Sequence, residues 1–166
     1  ARYSIAFQIG IVLGVPSKSM NQAIRPIVAQ YWAQERRTDL RALMLRSSRN
    51  QWGLSLLLYM LMLAVLPAVY PLLPDAYQDR GPLIAAVAGA TQLVYIATGA
   101  TGMVLLTSDK YKHDSYANVL MIALSVGFAA LAVPSYGAVG MAWSLFAAAV
   151  LYNTFRMIQL WRWFRI

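Results

Sequence analysis

Two cations, Lys18 and Arg25, are the residues best placed to do chemistry. They lie in PSKSMNQAIRP, Pro16–Pro26, between the apolar runs AFQIGIVLGV and IVAQYW. Seven residues are two helical turns, so the two side chains share a face, with Asn21 and Gln22 between them. A cation at the middle of a bilayer costs about 2.5–3.5 kcal/mol on insertion scales. Two such costs call for a wet cavity that handles an anion. Lysine offers a flexible point charge, and arginine a planar fork for paired oxygens. Ser17, Ser19, Asn21 and Gln22 add hydrogen-bonding groups on and beside that face. Further along, Gln92, Tyr95, Thr98 and Thr101 recur at helical spacing and are candidates to line the same cavity. Asn118, Tyr152, Asn153 and Arg156 are weaker candidates. The competing reading of the cations is snorkelling or pairing with an acid elsewhere. For the hydroxyl and amide residues it is hydrogen bonding between helices.

Other chemistries lack their parts. His113 is the sole histidine and cysteine is absent, so no metal-binding set is expected. The expected spans contain no Asp or Glu, which removes a carboxylate pair for acid–base work. There is no phosphate-binding glycine loop. The expectation is therefore no enzyme, no cofactor and no nucleic-acid partner; the net charge of +8 reflects loop topology.

The elements that must carry these residues are apolar helices. Of 166 residues, 60% are hydrophobic and 12% charged, against about 25% charged in ordinary soluble domains. The apolar residues come in long blocks, which predicts an all-α integral membrane protein with about five transmembrane helices, near 3–34, 52–73, 82–107, 116–133 and 138–161. The first carries Pro16 and Pro26 as kink sites and Gly10-x-x-x-Gly14 as a close-packing signal. The basic stretch Glu35–Gln51 reads as a loop whose Leu40, Leu43 and Met44 lie along the interface. The third helix is rich in small residues: Gly89, Ala90, Gly99 and Gly102. PSYG, Pro134–Gly137, reads as a tight turn, and Trp161 and Trp163 as interfacial belt residues. Lys and Arg in alternate loops and ends stand ten against two. That bias puts Glu35–Gln51, Ser108–Asp114 and the C-terminus on the cytoplasmic side. An outward N-terminus beginning at Ala1 leads us to expect a fragment of a longer protein.

A family resemblance enters in the second half. Thr98–Ala148 resembles the C-terminal region of Wzx-type polysaccharide flippases of the multidrug/oligosaccharidyl-lipid/polysaccharide (MOP) exporter superfamily. The sharpest part is Pro134-Ser-Tyr-Gly137-Ala-Val-Gly140-Met-Ala142. The run NQAIRPIVAQYWAQERRTDLRA, Asn21–Ala42, also resembles that family, and Ser108 departs from its usual glycine. The resemblance implies a twelve-helix transporter in two six-helix lobes, of which residues 1–166 are most of the C-terminal lobe, with the N-terminal lobe missing. It implies alternating access in the bacterial inner membrane, with the C-terminus cytoplasmic. The implied substrate is an oligosaccharide on an undecaprenyl pyrophosphate carrier, moved to the outer leaflet among membrane lipids. Lys18, Arg25, Asn21, Gln22, Tyr95 and Thr98 are the expected substrate-binding set. A lipid II flippase, a multidrug/cation antiporter and a structural membrane subunit are the alternatives.

Overall fold

The computed structural model describes residues 2–74, 78–98 and 111–164. They are all-helical, with no strand among them. The helices are α1 (Arg2–Val12), α2 (Val15–Ala33), α3 (Arg37–Val69, ending in a 3-10 turn over Tyr70–Leu72), α4 (Gly81–Ala97) and α5 (Tyr111–Phe164). Arg37–Leu72 and Ser115–Gln159 are long and apolar enough to cross a membrane. Only 11% and 6% of their most apolar stretches are buried. Leu57, Leu61, Ile122, Val126 and Leu131 are among many large apolar side chains left exposed. An apolar surface of that extent belongs against lipid or another protein.

The expected single helix over 3–34 is two helices. The break falls at Leu13–Gly14, where Leu13 N–H turns back to the Gly10 carbonyl at 3.2 Å and Gly14 N–H to Ile11 at 2.9 Å. Pro16 explains the position, because it has no N–H for the carbonyl of Val12 and its ring crowds that group. Pro26, by contrast, sits inside α2 without ending it.

The second difference is larger. The helix expected at 52–73 begins at Arg37 and includes the whole basic stretch. No proline or glycine interrupts Arg37–Trp52, and Leu, Met, Ala, Arg and Gln are good helix formers. A separate interfacial piece is therefore not what forms. Between α2 and α3 the chain turns in a Schellman motif. Arg36 N–H reaches the Tyr31 carbonyl at 3.0 Å and Glu35 N–H the Trp32 carbonyl at 3.1 Å. Glu35 takes the left-handed position, φ 57°, where glycine is usual.

The small helix α4 is the centre. Gly10 of α1 meets it so closely that a Cβ there would lie 2.7 Å from Cβ of Ala88. On another side Gly89 faces Tyr59 and Met62 of α3, and the Tyr59 hydroxyl donates to the Ala86 carbonyl at 3.0 Å. Leu66, Tyr70, Ile84, Ala85, Val87 and Ala142 form the main apolar core. The close-packing role of Gly10 and Gly89 is thus realised; Gly99, Thr101 and Gly102 lie outside the described residues, as does the expected helix beyond Thr98.

The fourth and fifth expected helices are the two arms of α5. The chain reverses at one residue, Gly137, with φ 57° and ψ −131°. Pro134, expected in a turn, lies inside the helix. Gly140 then lets the arms approach, since a Cβ there would strike the carbonyl of Ala132. The Ser144 hydroxyl donates to the Gly140 carbonyl at 2.7 Å.

Candidate functional site

Polar side chains gather at one end of the bundle. Between α2 and α3 they form a seam. Ser17 and Ser55 hydroxyls are 3.5 Å apart. The Gln51 amide nitrogen donates to Asn21 Oδ1 and to Ser47 Oγ, both at 2.8 Å. Gln51 is 1% exposed and Ser55 0%, and Gln51 Oε1 has no hydrogen-bond partner among the described residues. Past this seam Val28, Leu40 and Met44 pack as a small apolar cluster. The four α3 positions 47, 51, 55 and 44 fall on one helical stripe, which the antiparallel α2 meets with 17, 21 and 28.

This pairing fixes the height of the two cations. Ser17 opposite Ser55 and Asn21 opposite Gln51 put Lys18 level with Leu54, where the uncharged stretch Asn50–Pro74 turns from polar to apolar. Arg25 is seven residues further, about 10 Å, beside the polar half of α3. From the sequence both are cations within an expected span, Arg25 nearer its cytoplasmic end. The register sets Lys18 at the edge of the apolar stretch and Arg25 beyond it. Lys18, Gln22 and Arg25 are exposed, and neither cation forms an ion pair among the described residues. Ser19 is turned to its own helix, its hydroxyl 3.3 Å from the Val15 carbonyl.

Tyr95 and Thr98 belong to a second polar group, between α4 and α5. The Thr98 hydroxyl lies 2.8 Å from Asn153 Oδ1 and 2.9 Å from the Tyr95 carbonyl, and Asn153 Nδ2 donates to the Ala149 carbonyl at 2.7 Å. The Tyr95 and Tyr152 rings meet edge-on, centroids 6.3 Å apart. The Tyr95 hydroxyl donates to Met121 Sδ at 3.3 Å, and the Tyr152 hydroxyl to Asn118 Oδ1 at 2.9 Å. The Arg156 guanidinium sits 5.1 Å from the Tyr152 ring centre. The weaker sequence candidates Asn118, Tyr152, Asn153 and Arg156 are therefore drawn together with Tyr95 and Thr98. A groove of about 380 Å³ opens beside Thr98, Asn153 and Met157.

The third candidate in this region, Gln92, has its Oε1 where a Cβ on Gly14 would lie 3.0 Å away. It fills the notch at the α1–α2 break. From that contact Lys18 is four residues, about 6 Å, along α2, and Thr98 six residues, about 9 Å, along α4. Both polar groups thus occupy one layer.

Sequence reasoning missed Ser47, Gln51 and Ser55: a loop over 35–51 hides the first two, and Ser55 then stands alone in the expected helix 52–73. Their i, i+4, i+8 spacing was the available signal. Chemically, the layer offers amides and hydroxyls, with Lys18 and Arg25 beside it and no ion pair to either among the described residues. Among the described residues no group of three His, Cys, Asp or Glu could hold a metal ion. Comparison with family models, with curated proteins and with solved structures gave no match to this chain.

Proposed function

We propose that this chain is a membrane-embedded transport lobe that moves an oligosaccharide on an undecaprenyl pyrophosphate carrier from the cytoplasmic to the outer leaflet. In this reading α1 with the start of α2, the apolar part of α3, α4 and the two arms of α5 make five spans of the inner membrane. They pair with a second lobe for alternating access. Two exposed apolar surfaces and the resemblance at Thr98–Ala148 support it.

One observation carries the substrate class. Lys18 and Arg25 are exposed, unpaired by any described acid, and flank the level at which α3 changes from polar to apolar. A carrier lipid holds its pyrophosphate at that level while its chain stays in hydrocarbon. The cations would receive the headgroup at the cytoplasmic edge. That avoids the cost of holding charge at the bilayer centre.

The test is K18Q/R25Q in the full-length protein, reconstituted in proteoliposomes with a fluorescent polyprenyl pyrophosphate. Transbilayer movement should fall about tenfold or more while insertion and expression persist. Wild-type movement in the double variant would reject the assignment.

A structural role has its own supporting observation. Asn21, Tyr95 and Thr98 spend hydrogen bonds on neighbouring helices. Under that reading neither neutralised cation changes lipid movement, whereas disrupting the seam lowers assembly of the larger complex.

A further inference from the structure

We infer that the outer part of one side of the α2–α3 hairpin, around Arg37 and Arg41, is a docking surface for an acidic protein segment. The inference uses the membrane placement proposed above but not the transport activity.

The sides of the hairpin follow from helical geometry. At 100° per residue, Lys18 and Arg25 lie about 60–80° around α2 from the centre of its seam. Arg37 and Arg41 lie about 40–80° around α3 from its seam, in the same rotational sense. Because the helices are antiparallel, equal senses bring all four to one side. The contacts agree. The Arg37 guanidinium stacks 3.6 Å from the Trp32 ring centre on this side. Arg36 is on the other side, over Tyr31 at 4.8 Å and bonded to Asp39 at 2.7 Å. That other side continues with Met20, Ile24, Ile27 and Leu43. The cationic side has no acid of its own, and Lys18, Arg25, Arg37 and Arg41 are all exposed.

Their heights exclude an ordinary lipid contact for the outer pair. Arg41 is 13 residues and Arg37 17 residues before Leu54. At 1.5 Å per residue they stand about 20 and 26 Å beyond the apolar edge. The headgroup layer is only about 5–8 Å deep. No break in α3 lets the hairpin fold down onto the surface. Membrane topology needs positive residues close to the span, not a one-sided strip reaching past the headgroups. What remains is a soluble partner with carboxylates spaced to match. Arg37, pre-oriented by Trp32, is the kind of rigid arginine–aromatic anchor that dominates interfaces.

The chain is placed in nanodiscs of neutral phosphatidylcholine, and a fluorescent glutamate-rich peptide is titrated by anisotropy. Binding should exceed that of a glutamine-substituted peptide and weaken with salt. R37Q/R41Q should weaken it about tenfold, whereas R46Q/R49Q, on other sides of α3, should change it less than about twofold. R41E leaves the Arg37–Trp32 stack intact and should lose binding as well, which separates docking from folding of the hairpin. Lipid movement by R37Q/R41Q, measured in parallel, should stay at the wild-type rate. Equal losses from the two arginine pairs, or none, overturn the inference. So does displacement of the peptide from the wild-type chain by phosphatidylglycerol in the disc, which would make the bilayer the occupant.

Discussion

Gln51 donates one amide nitrogen to both Asn21 and Ser47, at 2.8 Å each, and so ties α2 to α3 where the chain passes from polar to apolar surroundings. The carbonyl of the same amide is buried without a partner among the described residues. The pair therefore fixes alignment more than it adds stability. A slip by one turn would take Asn21 from that amide and leave one of its hydrogens unmatched, since Ser47 lies on α3 itself; an unmatched donor is costly in a buried seam.

A double-mutant cycle on this pair is the direct check. Asn21→Ala and Gln51→Ala should each destabilise the chain, Gln51→Ala more, because it also loses Ser47 and leaves a cavity. The double variant should cost less than the two singles together by about 0.5–1.5 kcal/mol, measured by chemical unfolding in mixed micelles. Strict additivity would mean that the hydrogen bond does not form.

Glu35→Gly should stabilise the chain. Glu35 occupies the left-handed position closing the α2–α3 turn, and its side chain is exposed. A side chain there costs about 1–2 kcal/mol, part of which glycine returns as greater freedom of the unfolded chain. The net gain should be about 0.5–1 kcal/mol, read as a higher thermal midpoint in detergent. The main-chain bonds of the turn are unaffected by the change.

Two glycines of α5 should respond in opposite directions. A Cβ on either Gly127 or Gly137 meets nothing within 4 Å, so packing does not decide the outcome. Gly127 is within a helical arm, and Gly127→Ala should stabilise by about 1 kcal/mol. Gly137 has φ 57° and ψ −131°, and Gly137→Ala should destabilise by about 1–3 kcal/mol. The same unfolding titration compares them, and a shared sign would contradict the single-residue reversal.

How far the sequence exposes this architecture depends on the range of each interaction. Pro16 marks the α1–α2 break, and Gly137 the reversal of α5, because each acts through its own backbone. Gly10 signals a close approach by its spacing alone. The shared face of Lys18 and Arg25 is legible for the same reason. Their height is not. It depends on which residue of α3 lies opposite, and that contact spans 30 residues between Asn21 and Gln51. The reach of α3 back to Arg37 was hidden differently. Five arginines within Arg36–Arg49 read as loop chemistry, though nothing in Arg37–Trp52 can stop a helix. With the loop removed, the stripe Ser47, Gln51 and Ser55 becomes visible. The grouping of Thr98 with Asn153, 55 residues apart, had no local trace at all.

In the membrane placement proposed above, the continuous helix from Arg37 to Val69 joins its apolar part and its basic tip mechanically. Leu54 acts as a fulcrum, with an arm of about 26 Å to Arg37. A tilt of about 10° among the lipid-facing helices therefore swings that arginine by about 4–5 Å. On that placement, small rocking of the apolar part is amplified into a displacement that the proposed soluble partner would sense, or impose in return.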